Sequence, residues 1–378
     1  MTVTVCDRGR MTACEPVHQS EQGDALDSAL KLANLYQGGP SKIETLMNRF
    51  IDSAAEPGTM AVGGETPRKE APAMPQPRIA FVGFGEAARC FALHLAAQTD
   101  APMVAFCQGK TNAPPYSEAF RAMAAGCGVT LVDRLEDLSD ADVIFSAVVV
   151  AVAAKTGEEI SKVIRPGCLV VDINAATPRT KKRVAEAVEA RGGLFADANL
   201  MGSVDLYGAA VTLYTSGSGA ERFAEIFRPL GFRIEVAGPE AGTAAAVKML
   251  RSVVTKGMEA LLVEALTAAT LAGVRDEAMR GLCTSMDATP FSKFLDMCVR
   301  SDVLHAERRA VEMDGVAAGL RELGFDPLMA TATAARLKVS ARLGLRDEFA
   351  QRSSYSADEV LDRYAHAVAG SGEIEERL

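Results

Sequence analysis

The stretch Arg78–Leu95, RIAFVGFGEAARCFALHL, constrains the fold more than any other part of the chain. Ile79, Ala80, Phe81 and Val82 form an unbroken apolar run, the pattern of a central parallel strand covered on both faces. Gly83, Gly85 and Ala88 follow with G-x-G-x-x-A spacing. In that spacing the first glycine makes a tight turn and the second admits a pyrophosphate to the backbone. The small third residue lets a helix pack close to the strand. Phe91, Leu93 and Leu95 continue as apolar positions of such a helix, whose first N–H groups and dipole favour a phosphate. The stretch predicts a strand, turn and helix that bind a dinucleotide, with Gly83, Phe84, Gly85, Glu86 and Ala87 around the phosphates. Its other reading is a glycine-rich turn that binds nothing.

From Arg78 onward, apolar runs of strand length alternate with helical patterns. Strands are expected at Met103–Phe106, Val129–Val132, Asp142–Val150, Cys168–Asp172, Gly193–Asp197, Ala209–Tyr214 and Phe232–Val236. Helices are expected at Tyr116–Ala125, Thr156–Ile164, Arg179–Arg191 and Gly219–Phe227. Alternating units of this kind imply an α/β fold: a Rossmann-type, doubly wound, mostly parallel sheet. Ligands of such sheets sit at the carboxyl ends of the strands. The loops after Phe81, Phe106, Ser146 and Asp172 should therefore line one crevice, which puts Val148 beside the cofactor.

After Pro239 the strand patterns stop. One helix of about thirty residues is expected over Gly242–Ala272, followed by helices at Asp276–Thr284, Pro290–Val299, Ser301–Leu323, Pro327–Gly344 and Ala357–Ala369. Three segments result: an N-terminal extension and flexible linker over 1–77, a dinucleotide-binding domain over 78–239, and an all-α C-terminal domain over 240–370. Within the extension, Asp24–Tyr36 and the stretch behind the capping pattern of Ser41 and Glu44 read as short amphipathic helices. Leu250, Val254, Leu262, Val263 and Leu266 put apolar side chains on more than one face of the long helix, which predicts a homodimer.

Composition excludes several roles. A net charge of −9 disfavours nucleic acid. No run of about 18 apolar residues is present to span a membrane, and the first residues lack a signal-peptide core. Eight cysteines without a C-x-x-C pair and four scattered histidines argue for reduced thiols in a cytoplasmic protein, and against a metal site.

Four groups of residues could carry chemistry. At the end of the second sheet strand, where an acid would read the ribose of NAD, the chain has Ala105-Phe106-Cys107-Gln108-Gly109-Lys110. Lys110 without a carboxylate tilts the expectation from NAD to NADP. On the long helix Lys248, Ser252 and Lys256 share one face. A lysine among small and apolar residues is a candidate general acid/base, because burial disfavours its charge; an interface salt bridge is the other reading. Met201, Gly202 and Ser203 form a loop whose N–H groups could hold a carboxylate, or a plain strand-end loop. Asn174 sits at a strand's carboxyl end, near a bound nicotinamide or in an Asx turn. His305, Arg308, Arg309 and Glu312 lie in a helical stretch and read as structural or solvated side chains.

The order of these groups, from the glycine turn through DINAATP at Asp172–Pro178 and DANLMG at Asp197–Gly202 to GTAAAVK ending at Lys248, resembles the β-hydroxyacid dehydrogenases. That superfamily contains the 6-phosphogluconate and 3-hydroxyisobutyrate dehydrogenases. The match runs from Arg78 to about Arg346, and its second half is similar to the phosphogluconate dehydrogenase-like branch with a short helical C-terminal domain. The resemblance implies hydride transfer between NADP or NAD and a small β-hydroxy (or 3-hydroxy-2-amino) acid. It implies Lys248 as the proton-moving catalytic residue with Ser252 beside it. It also implies Asn174, Met201, Gly202 and Ser203 at the substrate. Two positions depart from the family pattern: Ser252 stands where asparagine is usual, and Met201-Gly202-Ser203 replaces S-G-G. The alternatives are an imine reductase and a dinucleotide-sensing protein without turnover.

Overall fold

The computed structural model describes residues 6–7, 10–11, 76–109 and 112–370. The expected helices at 24–36 and 41–51, Lys110, and the tail from 371 lie outside the described residues. The chain divides into two compact units, Met1–Ala73 and Met74–Leu378. In the first, β1 (Cys6–Asp7) and β2 (Arg10–Met11) pair antiparallel.

The second unit alternates strand and helix as the sequence predicts. In order it runs β3 (Ile79–Val82), α1 (Glu86–Gln98), β4 (Met103–Phe106), α2 (Glu118–Gly126), β5 (Val129–Leu131), β6 (Val143–Ser146), α3 (Val150–Val163), β7 (Leu169–Asp172) and α4 (Pro178–Glu189). It continues with β8 (Leu194–Leu200), α5 (Val204–Tyr207), β9 (Leu213–Ser216), α6 (Ala220–Phe227) and β10 (Ile234–Val236). The sheet order is β10-β9-β8-β7-β6-β3-β4-β5. All neighbours are parallel except β8 and β9. The chain reverses its winding direction between β3 and β6, and a crevice opens at such a switch point outside the strand ends.

Both faces are covered, so the central strands β3, β6 and β7 are apolar up to their carboxyl ends. On one face Phe81 stacks on Phe145 at 5.3 Å between ring centroids, and Phe91 and Phe227 meet Phe145 edge-on. On the other, Ala80, Ile144 and Val170 pack with Ile160 and Val184.

Helices follow the sheet: α7 (Thr243–Leu271), α8 (Arg275–Asp287), α9 (Phe291–Glu322), α10 (Leu328–Arg342), α11 (Arg346–Ala350) and α12 (Ala357–Gly370). The first turn of α7 packs on β8 and β9, whereas Glu264 near its far end accepts hydrogen bonds from Met329 and Ala330 N–H at 2.7 and 2.8 Å, capping α10. A small core of Val303, Leu345, Phe349 and Val360 holds α9, α11 and α12 together.

Several element boundaries differ from expectation. The strand expected at Ala209–Tyr214 opens as a single helical turn over Gly208–Ala210 and is strand only over Leu213–Ser216. The apolar run 142–150 is strand only to Ser146, and helix α3 already starts at Val150. Periodicity cannot divide an unbroken valine and alanine run between a buried strand and the helix after it. The expected break between 299 and 301 is absent, and α9 runs on for 32 residues. No glycine or proline interrupts it there, and the Ser301 hydroxyl donates back to the Cys298 carbonyl instead of starting a new helix.

Candidate active site

The turn after β3 can hold a dinucleotide's phosphates. Gly83 has φ +85°, and a Cβ there would lie 2.2 Å from the Ala147 carbonyl oxygen, so only glycine lets β3 and β6 approach this closely. Gly85 is different: its φ is −81°, and a Cβ would meet nothing within 4 Å. Helix α1 begins directly behind with no side chain capping its N-terminus, so its first N–H groups point to the place a phosphate would take. Bare backbone donors behind an uncrowded glycine fit the dinucleotide that the motif implies. Cys107, directly after β4, is buried beside this turn. Burial pushes its thiol up to about 11, against hydrogen bonds with Phe84 and Gly83 backbone. The Tyr116 hydroxyl braces the segment, accepting from Cys107 N–H at 3.0 Å and donating to the Val132 carbonyl at 2.9 Å.

A polar row crosses the apolar sheet at its carboxyl edge. Val82, Ser146, Asp172 and Asp197 share one register line across β3, β6, β7 and β8, and Ser216 of β9 continues it. Ser146, Asp172, Asp197 and Ser216 are all buried. Their polar atoms are tied into one chain of hydrogen bonds. Asn174 accepts from Val148 N–H at 2.6 Å, donates its amide to Ser146 Oγ at 2.9 Å, and donates its backbone N–H to Asp172 Oδ1 at 2.9 Å. Lys181, fully buried on α4, spends its three ammonium donors on Asp172 O (2.8 Å), Asp172 Oδ1 (3.1 Å) and Asp197 Oδ1 (3.0 Å). Asp197 Oδ2 then accepts from Gly242 N–H at 3.2 Å and Ala245 N–H at 3.0 Å, and Ser216 Oγ accepts from Ala244 N–H at 3.0 Å. These are orphan donors of the first turn of α7, so the row caps that helix and fixes its start on the sheet.

Lys248 lies one turn further along α7, on the face that carries Ala244 and Ala245. It is half-buried. Its amine is held below the ordinary lysine range, first by desolvation, then by the Lys181 charge, with Asp197 opposing and Lys256 and Arg251 adding to the depression. A half-buried amine with a lowered proton affinity can both take and give a proton.

The family described as NADP oxidoreductase, coenzyme F420-dependent, matches residues 78–176, and a domain of unknown function, DUF1932, matches 269–339. A conserved protein of unknown function, whose structure is reported to resemble 3-hydroxyacid dehydrogenases, is 33% identical over 71% of this chain and 98% of its own (TM-score 0.49). The chain belongs to the β-hydroxyacid dehydrogenase superfamily. The relation rests on that sequence identity and not on the superposition. A conserved hypothetical protein from Sinorhizobium meliloti 1021 is 28% identical over 78% of this chain and 97% of its own (TM-score 0.51). An imine reductase from Aspergillus terreus, solved with NADPH4 and dibenz[c,e]azepine, shares the fold at 18% identity over 71% of this chain and 95% of its own (TM-score 0.58).

In this β-hydroxyacid dehydrogenase superfamily member, the side chains expected at the substrate are partly committed elsewhere. Asn174 braces the Val148 loop through both ends of its amide. The Ser203 hydroxyl accepts from Asp205 N–H at 3.2 Å and so caps the short helix α5. Ser252 donates to the Lys248 carbonyl at 2.9 Å, within the helix backbone and not to the amine. Met201 and Gly202 are half-buried, and Gly202 packs against the Tyr207 ring.

Three features escaped the sequence. Asn199 is buried on β8 with its amide on Asp197 at 2.8 Å and its Oδ1 without a partner. Asp205 reaches back to Glu86, and their hydrogen bond is the main reason the Glu86 carboxyl is held above its ordinary value. Lys181 sits in the basic run RTKKR, which reads as solvated. The only signal against that reading was its spacing, since Lys181, Val184, Ala185 and Val188 form one buried helical stripe.

Proposed function

We propose that this protein is an NAD(P)-dependent oxidoreductase that moves hydride between nicotinamide and a small β-hydroxy (or 3-hydroxy-2-amino) acid or its keto partner. One observation carries the reading: Lys248, half-buried and short of its ordinary proton affinity, on a helix whose first turn is tied to the strand ends beside the glycine turn. The cofactor, when bound, supplies the hydride acceptor or donor. The chain's own groups do the rest. Gly83, Gly85 and the first turn of α1 bind the phosphates, with Phe84, Glu86, Ala87 and Val148 around them. The neutral Lys248 amine takes the hydroxyl proton in oxidation, and its ammonium returns that proton to the carbonyl oxygen in reduction. The Met201-Gly202-Ser203 loop binds the acid group. No acid stands at the end of β4, where Cys107 is buried, which favours NADP over NAD.

A panel of β-hydroxy acids with NADP+ and NAD+, and of cyclic imines with NADPH, tests this at the nicotinamide absorbance band. Turnover of a hydroxy acid is expected. Turnover of imines alone would make the chain an imine reductase, the reading that the fold shared with the Aspergillus terreus enzyme favours. Saturable cofactor binding without turnover of any compound would make it a sensor.

The same reading includes a homodimer. Leu250, Val253 and Val263 on α7 are 61–69% exposed, and the less exposed Val254 and Leu262 continue this surface. An apolar surface of this extent on a soluble monomer is unusual. At micromolar concentration, sedimentation should give twice the 39.9 kDa of the chain, and Val253→Glu should return the monomer. A wild-type monomer would refute the dimer. Among the described residues no helix is long and apolar enough to cross a membrane.

A further inference from the structure

The buried cluster of Asp172, Lys181 and Asp197 has no direct part in the reaction proposed above, yet its position is specific. An ammonium and two carboxylates taken from water cost several kcal/mol each unless the geometry satisfies them. Here they are satisfied, and the far end of the cluster is the N-terminus of the helix that carries Lys248.

We propose that Asp197 and Lys181 are positioning residues for Lys248, Asp197 by fixing the first turn of α7 and both by setting the electric field at the Lys248 amine. The two charges act in opposite senses. The Asp197 carboxylate favours the Lys248 ammonium, and the Lys181 ammonium opposes it. Asp172, on the far side of Lys181, offsets part of the Lys181 charge. From its own helix Lys248 also meets Arg251 and Lys256. Lys181 holds Asp197 Oδ1, which leaves Oδ2 aimed at the helix N–H groups. Asp197 therefore acts on both the field at the amine and the position of α7. Through Asn174 the same chain of hydrogen bonds reaches Val148, so the cofactor loop and the lysine are held on one frame.

This proposal rests on Lys248 as the proton-moving group, so its test reads the amine directly and not only turnover. The pH at which Lys248 is half-labelled by fluorodinitrobenzene, followed on its peptide by mass spectrometry in the full chain, reports its proton affinity whether or not the enzyme turns over. Asp197→Asn should move that midpoint down by about half a pH unit or more. Lys181→Met combined with Asp172→Asn, which leaves the net charge of the cluster unchanged but takes the ammonium partner from Asp197, should move it up by a similar amount. Asp172→Asn alone keeps every contact with α7, and should move it down by a smaller step if the other variants fail to fold. The pH limb of kcat should follow each midpoint, with the cofactor Kd unchanged. Folded variants whose midpoints stay within a tenth or so of a unit of wild type, or all move the same way, would overturn the proposal. If Lys248→Met retains turnover, the proton-transfer reading fails while the labelling result still decides this one.

Discussion

Replacing Lys248 with methionine should lower turnover by at least about 100-fold while leaving cofactor affinity nearly unchanged. The expectation follows from what the side chain does and does not touch. In the proposed function the phosphates sit on the turn after β3 and the start of α1, which are remote in sequence from α7. The amine is the group to which that proposal gives the proton transfer, and the capped first turn of the helix places it. The fold should not suffer. Desolvation and the Lys181 charge already oppose the Lys248 ammonium, so a methionine of similar length removes an unfavourable charge and the melting temperature should hold or rise. A variant that loses activity without losing stability separates a chemical role from a structural one. The pH profile gives an independent check. Oxidation needs the neutral amine, so its rate should climb with pH and level off above the Lys248 pKa, which lies below the ordinary lysine range. Reduction needs the ammonium and should fall over the same interval. Wild-type rates flat across that interval, or a Lys248→Met variant with undiminished turnover, would remove the lysine from the mechanism.

Much of this arrangement was legible in the residues. The glycine turn, the alternating elements and the long helix each carry a local signal: an apolar run, a spacing, the absence of proline. Lys248 was legible because its neighbours Ala244, Ala245 and Met249 are small or apolar. The polar row was not. Ser146, Asp172, Asp197 and Ser216 are far apart in sequence, and each alone looks like the polar end of a strand. Only the sheet register places them in one line. Lys181 shows the limit of composition: within RTKKR the charge density suggests solvent, and one helical period decides that this lysine alone points inward. Asn174 shows a different limit. Its position at a strand's carboxyl end was readable, but its two amide contacts, which make it a brace, depend on where β6 ends and α3 begins. That boundary lies inside a valine and alanine run that periodicity does not resolve.

The two glycines of the opening turn should respond to the same substitution in opposite ways. Gly83→Ala should damage the fold. At φ +85° an alanine carries about 1–2 kcal/mol of strain, and its Cβ would stand 2.2 Å from the Ala147 carbonyl oxygen, a backbone atom that β6 holds in the sheet. Relief requires β3 and β6 to part at their carboxyl ends, where Ser146 begins the hydrogen-bonded row. A loss of roughly 2–4 kcal/mol is expected, read as a lower denaturant midpoint, and dinucleotide affinity should fall with it. Gly85→Ala should leave stability within about 0.5 kcal/mol of wild type, because its φ of −81° suits alanine and a Cβ there meets nothing within 4 Å. That open space is where the backbone would meet the pyrophosphate. The methyl group should therefore weaken dinucleotide binding by at least about tenfold, or 1.4 kcal/mol, in a protein that melts normally. Calorimetric titration of both variants with NADP+ and NAD+, beside their unfolding curves, separates the two roles. If Gly85→Ala binds either dinucleotide as tightly as wild type, the pyrophosphate does not lie over this turn, and Gly83 is there only to let β3 and β6 come together.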